Sequence, residues 1–279
     1  MTAPVPLRFE DVTQDGRLVL EALPNALAPT VWRGKLSETD AARALRRQGI
    51  IPILTRLRLL GTEGPFSSSA HVDAEACVRM ARTEDGRFVL EMWADLYGNI
   101  GRTYGTAERD GQRALAGRVF AEHVLTRPFA PAGQRRVTDL DFDGAPAVAT
   151  TRAAMPSFES IMALPEGATP LEPCAAPDEV PIAFGVVHTD SNKHVNSLVY
   201  LRVFEEAALR RFVSLGRGSS RLARTIDIAY RKPSFAGDVA RVVQQAFTAP
   251  GGRALGVVAT LADARGARPH TFARLGFDA

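Results

Sequence analysis

His188-Thr189-Asp190-Ser191-Asn192-Lys193-His194-Val195-Asn196-Ser197-Leu198-Val199-Tyr200, continuing into Leu201-Arg202-Val203-Phe204-Glu205-Glu206-Ala207, is the stretch that decides how this chain is read. Its second half has helical spacing. Leu198, Leu201, Val203, Phe204, Ala207, Ala208 and Phe212 make one apolar face between Asn196 and Leu215, and Gly216 suits a left-handed C-terminal cap. Its first half crowds an acid, two amides and an imidazole at the entrance to that helix. One capping side chain satisfies only one or two of the free N–H groups at a helix start, so four polar residues exceed what capping asks for. The same N–H groups and the positive end of the helix dipole are a natural seat for an oxyanion or a polarised carbonyl. Asp190 and His194 could supply a nucleophile, base or acid beside it.

The pattern extends outward in both directions. Pro181–His188 reads as a buried strand before the helix, and strands follow at 221–231, 238–248, 253–263 and 269–277, with Pro250-Gly251-Gly252 and Arg265-Gly266 as turns. In the first half, Ser37-Glu38-Thr39-Asp40 looks like a helix start, with a stop or kink expected at Gly49 and Pro52 and an apolar continuation to Leu60-Gly61. Strands are expected around 67–82, 87–97 and 113–125, parted by the turn signals Glu84-Asp85-Gly86-Arg87 and Arg109-Asp110-Gly111-Gln112. Leu215-Gly216 lies 155 positions after Leu60-Gly61, and the same offset sets Asn192 against Ser37. A long helix followed by antiparallel strands, twice in one chain, is the pattern of a duplicated α+β unit. Between the halves, residues 126–179 hold eight prolines and read as a surface connector with one short helix near 157–164. The expected organisation is a degenerate first half over 1–125, the connector over 126–179, and a second half over 180–279 that carries the polar motif.

Composition narrows the function classes. The 279 residues are 46% hydrophobic and 23% charged, an ordinary globular balance, and the net charge of +3 comes from 31 Arg and 3 Lys spread without a basic run. Nucleic acid is therefore not an expected partner, because phosphate backbones select clustered cations. Cys77 and Cys174 stand alone, without a Cys-x-x-Cys or a neighbouring His pair, so neither a metal site nor a cofactor is expected. No window approaches a membrane span and the start has no signal-like apolar core, which gives the expectation of a cytoplasmic protein with no membrane partner. His71, His123 and His270 sit singly on expected strands and read as surface or satisfied core positions. Gly98-Asn99-Ile100-Gly101 lacks the setting of a nucleotide fingerprint, and there is no Gly-x-Ser-x-Gly elbow.

Asp190-x-Asn192-x-His194-Val195-Asn196, with Tyr200 and Glu205 at their spacings, resembles the active-site segment of hotdog-fold thioesterases, above all the acyl-ACP branch. Tyr230-Arg231-Lys232-Pro233 followed by Gly237-Asp238 resembles the strand-and-turn signature of the 4-hydroxybenzoyl-CoA thioesterase branch. The resemblance implies two tandem hotdog domains, each a long helix wrapped by a curved antiparallel sheet, forming an intrachain pseudo-dimer, monomeric or further paired as a homodimer. It implies hydrolysis of an acyl thioester of CoA or acyl carrier protein. Asp190 would be nucleophile or general base, Asn192 and His194 would hold the thioester and water, and Val195, Asn196, Tyr200 and Glu205 would line the substrate. The chain departs from the pattern in two places. Lys232, Pro233 and Ser234 stand where plant-type enzymes carry a further glutamate, and the first half sets Lys35, Ser37 and Thr39 against the motif. Those departures keep a non-catalytic acyl-binding protein as an alternative. A double-hotdog dehydratase fits less well, because His71-Val72-Asp73-Ala74-Glu75 lacks the glycine and proline that its other half requires.

Overall fold

The computed structural model describes residues 2–148, 150–154, 156–263 and 268–278. The chain divides into two compact units, one of Met1–Leu57 with Gly61–Pro156 and the other of Arg58–Leu60 with Ser157–Ala279.

The first unit contains β1 (Thr2–Pro6), α1 (Asp40–Arg47), β2 (Ile51–Gly61), β3 (His71–Thr83), β4 (Phe88–Asn99), β5 (Arg113–Thr126) and β6 (Thr151–Arg152). The strands run β1-β3-β4-β5-β2, with β1/β3, β3/β4 and β4/β5 antiparallel and β6 parallel to β3. The long first helix expected from Ser37 to Leu60 does not form. Its helical part is α1 alone, which Thr39 caps by accepting from the Ala42 amide, and the chain leaves it through Gly49 at φ 67°. Ile50, Ile51, Ile53 and Thr55 then favour extended backbone, and Pro52 withholds the amide a helix would need, so 51–61 is a strand. The 155-residue offset thus compares a strand end with a helix end. Longer helical turns come earlier, as a 3-10 segment over Leu20–Ala26 and a π-helical segment over Ala28–Leu36, whose Trp32 meets the buried His123 of β5 edge-on at 5.2 Å.

One face of this sheet carries charge inside. Glu91 and Glu122 lie opposite each other on β4 and β5, each 2% exposed. Arg79 binds Glu91 from β3 at 2.6 Å, while Arg152 of β6 binds Glu91 at 2.7 Å and also Glu122. Isolated, either carboxylate would be costly in that position; the two guanidinium groups make the pair tolerable.

The second unit contains β7 (Thr169–Pro170), β8 (Ala176–Pro177), β9 (Ile182–Ala183), α2 (Ser197–Ser214), β10 (Ala223–Tyr230), β11 (Val239–Thr248), β12 (Leu255–Asp263) and β13 (Thr271–Phe277). The antiparallel order β10-β13-β12-β11 is completed by β7, β8 and β9, which pair in turn along β11. Two short pieces of the proline-rich stretch, 169–170 and 176–177, are therefore edge strand, where a missing N–H is harmless. Carboxylates tie it to α2: Asp178 binds Arg210 at 2.5 Å, and Glu172 binds Arg211 and accepts from the Ala246 amide at 2.8 Å. The short turn expected near 157–164 is a 3-10 segment over Phe158–Met162, whose Ile161 packs on Ala229 and Phe272. The expected helix forms as α2, with Leu201, Val203, Phe204, Ala207, Ala208 and Phe212 buried and Gly216 at φ 69° beyond its end. Gln244 of β11 donates to the Ala207 carbonyl at 2.9 Å, fastening helix to sheet. Pro181–His188 is not the buried strand expected: after β9 it turns into a 3-10 segment that leaves Val186 and Val187 78% and 90% exposed. The expected Arg265-Gly266 turn lies outside the described residues.

Candidate functional site

The polar motif folds as a small hairpin in front of α2. Thr189 bridges Val195, the Asp190 amide donates to the His194 carbonyl at 2.9 Å, and the Lys193 amide donates to the Asp190 carbonyl at 2.9 Å. Asp190 Oδ1 accepts from the Asn192 amide at 2.8 Å, and Lys193 closes the turn at φ 63°, a conformation that side chains other than glycine adopt at a cost. The hairpin is tied to its surroundings at both ends. His194 bridges Phe235, the Val195 amide donates to Ser234 O at 2.8 Å, and the Asn196 amide donates to His188 O at 2.9 Å. The preceding turn is closed by His188 Nδ1, which accepts from the Gly185 amide at 2.9 Å.

Asp190 and Asn192 are exposed, and His194 is half-buried with its ring edge-on to Phe235 at 5.2 Å. These three sit on one five-residue turn. Val195 is buried beneath them. Asn196 is the N-cap of α2: its side chain accepts from the Leu198 amide at 2.9 Å and its carbonyl from the Val199 amide at 3.0 Å. Tyr200 is buried one turn further on, its hydroxyl accepting from the Ser234 amide at 2.9 Å, and burial raises its pKa. Glu205 is half-buried and lies nine residues beyond the cap, roughly 13 Å along the axis, so the structure does not bring it to the turn.

The residue that organises the site is Ser234, fully buried in the loop after β10. Its amide holds Tyr200 of α2, its carbonyl holds Val195 of the motif, and its hydroxyl meets His270 Nδ1 at 3.1 Å. His270, expected on a strand, instead precedes β13; it is buried, its Nε2 has no partner among the described residues, and burial, then the Lys232 charge, lower its pKa. Tyr230 adds a bond from its hydroxyl to Ser197 O at 3.0 Å, and burial pushes its pKa well up. The sequence did place Tyr230 and the residues after it in a motif. Nothing in the spacing marked Ser234 as the point where helix, turn and β13 meet, because that role uses its backbone as much as its side chain. Among the described residues there is no group of three or more His, Cys, Asp or Glu side chains suited to a metal ion, and no helix is long and apolar enough to cross a membrane.

No family model matches the sequence, and no curated protein matches it. Solved structures do match in fold. An acyl-ACP thioesterase from Bacteroides thetaiotaomicron VPI-5482 is 14% identical and aligns with 100% of this chain and 97% of its own, at a TM-score of 0.60. The 12:0-ACP thioesterase from Umbellularia californica is 12% identical, with 99% and 96% covered and a TM-score of 0.56. Over essentially its whole length the chain has the fold of these acyl-ACP thioesterases.

Proposed function

We propose that the protein hydrolyses an acyl thioester carried by CoA or acyl carrier protein, and that its two units are tandem hotdog halves of which only the second is a catalytic half. The observation that carries the reading is the turn 190–194, which carries an acid, an amide and an imidazole before the N-terminus of α2 and is tied to the loop after β10. The Asn196 cap takes up the Leu198 amide and leaves the Ser197 amide as a helix-start donor for the thioester carbonyl oxygen. Asp190 attacks the carbonyl or takes a proton from an attacking water; Asn192 and His194 hold the water and the thioester. The C–S bond then breaks and the thiolate leaves, so no strong acid is required; where Asp190 itself attacks, the resulting acyl–aspartate anhydride is hydrolysed by the water that Asn192 and His194 hold, releasing the free acid and restoring the carboxylate. Val195 and Tyr200 support the wall of the site from within, and Asn196 shapes its floor. Glu205, two turns along the helix, would meet a part of the substrate remote from the thioester.

The test is hydrolysis of a panel of acyl thioesters varying in chain length and carrier by wild type and Asp190→Asn. The asparagine keeps an oxygen for the Asn192 amide, so the turn is preserved while the charge is lost. Turnover should fall by about 100-fold or more, the scale of a lost nucleophile or general base. His194→Ala should lower it as well. Unchanged turnover in Asp190→Asn removes the assignment. The second reading, an acyl-thioester binder without turnover, draws on Lys232, Pro233 and Ser234 standing in place of a glutamate. Mass spectrometry of the purified protein for bound acyl species, with no turnover on any member of the panel, would favour it.

A further inference from the structure

A basin in the first unit, far in the sequence from the 190–194 turn, gathers three arginines around one acid. Arg87, Arg135 and Arg136 line a cavity of about 570 Å³ together with Asp85, Thr126 and Ala132, at the end of β5 where Val124 and Leu125 close it. The cations are delivered by two backbone devices. The β3–β4 turn carries Asp85 and Arg87, and after β5 the chain doubles back in a hairpin in which Thr126 bridges Arg136, with the Arg127 amide donating to Arg135 O at 2.9 Å and the Thr126 hydroxyl to the same oxygen at 2.8 Å.

Each guanidinium is anchored on one side and open on the other. Arg87 Nε donates to Asp85 Oδ2 at 2.8 Å and its Nη2 lies 2.7 Å from the same oxygen; Arg136 Nη2 donates to the Asp85 carbonyl; Arg135 Nε donates to the Ala130 carbonyl at 2.9 Å. Arg87 Nη1, both Nη of Arg135, and Nε and Nη1 of Arg136 take no acceptor among the described residues. Asp85 cannot relax this arrangement near neutrality, because its bonds to the Thr83 hydroxyl and Arg87 hold its pKa down to about 2. The neighbouring Glu84 is turned to the Ala154 amide and does not line the basin.

Three guanidinium groups and a single carboxylate, bonded by Arg87, line the basin and leave a surplus of positive charge in it. A monocarboxylate needs a single guanidinium fork, whereas a phosphoryl group offers three acceptor oxygens and more than one charge to several forks at once. We propose that this basin is a phosphoanion site, taking a ligand that carries at least two phosphate charges. The assignment does not depend on thioester hydrolysis.

The experiment is isothermal titration of the full chain with inorganic pyrophosphate and, separately, with adenosine 3′,5′-bisphosphate, at low and at high salt, with a hexaglutamate peptide as the carboxylate control. Both phosphate probes should bind, more weakly at high salt, and Arg135→Gln/Arg136→Gln should weaken them at least tenfold while its circular dichroism matches wild type. Arg87→Gln should weaken them independently of the hairpin. Absence of binding by both probes, unchanged affinity in the double variant, or hexaglutamate binding as tightly as pyrophosphate overturns the proposal.

Discussion

His123 makes the stability of the first unit dependent on pH in a way that one substitution should reveal. The imidazole is buried on β5, its Nδ1 has no partner among the described residues, and Trp32 stands edge-on at 5.2 Å. Burial lowers its pKa from 6.5 to about 4, against a smaller opposing pull from the Leu90 carbonyl. The native state therefore keeps the ring neutral while an unfolded chain takes up a proton near 6.5. The contribution is fully present above that value and is lost as pH falls from about 6.5 to about 4, where the native ring also protonates. At roughly 1.4 kcal/mol per pH unit the whole interval comes to about 3 kcal/mol, of which about 2 kcal/mol falls between pH 7 and pH 4.5. His123→Leu removes the titration. It gives up a hydrogen bond but also deletes an unpaired buried nitrogen, so its stability at pH 7 should stay within about 1 kcal/mol of wild type. Urea unfolding followed by circular dichroism at pH 7 and pH 4.5 measures both proteins. Wild type should lose about 2 kcal/mol more than the variant between the two pH values, other titrating groups being common to both. Losses equal within about 0.5 kcal/mol would show that the buried imidazole is not what the acid limb reports, and the reasoning would fail.

Three further outcomes follow from contacts already described. Arg152→Met withdraws the guanidinium shared by the buried Glu91 and Glu122 and should cost about 3–5 kcal/mol at pH 7 by urea unfolding; a loss under about 1 kcal/mol would mean that Arg79 alone compensates the pair. Gly256→Ala would drive a Cβ into the Phe247 ring, so thermal unfolding should register a loss of about 1–3 kcal/mol, which an added Phe247→Leu should partly restore. Ser234→Ala keeps both backbone bonds but strands His270 Nδ1, and should cost about 1–3 kcal/mol together with slower thioester turnover; an unchanged stability would show that the hydroxyl contributes nothing to the hub.

The second half of the chain was legible because its signals agree with one another. Apolar spacing from Leu198 to Phe212, the Gly216 terminus and the hairpin turn at Pro250-Gly251-Gly252 all specify the same elements. The strands of the first half were also readable, since Gly86 and Gly111 mark their turns at positive φ. Its helix was not. Apolar residues from Ile50 to Leu60 suit a helix or a strand by composition, and the β-branched run after Gly49 decided for the strand. At the site, the density of polar residues before α2 singled out Asp190, Asn192 and His194, which the structure sets on one turn. It could not show that Tyr200 spends its hydroxyl on Ser234, because that bond joins residues 34 positions apart through a backbone amide. The sequence suggests surface or satisfied core positions for His123 and His270, yet each is buried with one ring nitrogen without a partner among the described residues.

The proline-rich edge of the second unit bears on the order in which the chain can be assembled during its synthesis. β7, β8 and β9 pair with β11, whose partner positions lie 56 to 79 residues later, so a ribosome adding about 5–20 residues per second exposes that edge for several seconds before its partner exists. A typical strand left waiting would be a template for pairing with other nascent chains. Pro170 and Pro177 sit within β7 and β8 themselves, and each withholds an amide that a stranger would need. Once β11 arrives, Glu172 and Asp178 can lock onto the two arginines of α2 that are already made. The residues that look least like structure in the sequence are thus suited to remaining unpaired until the strand they belong to has been translated.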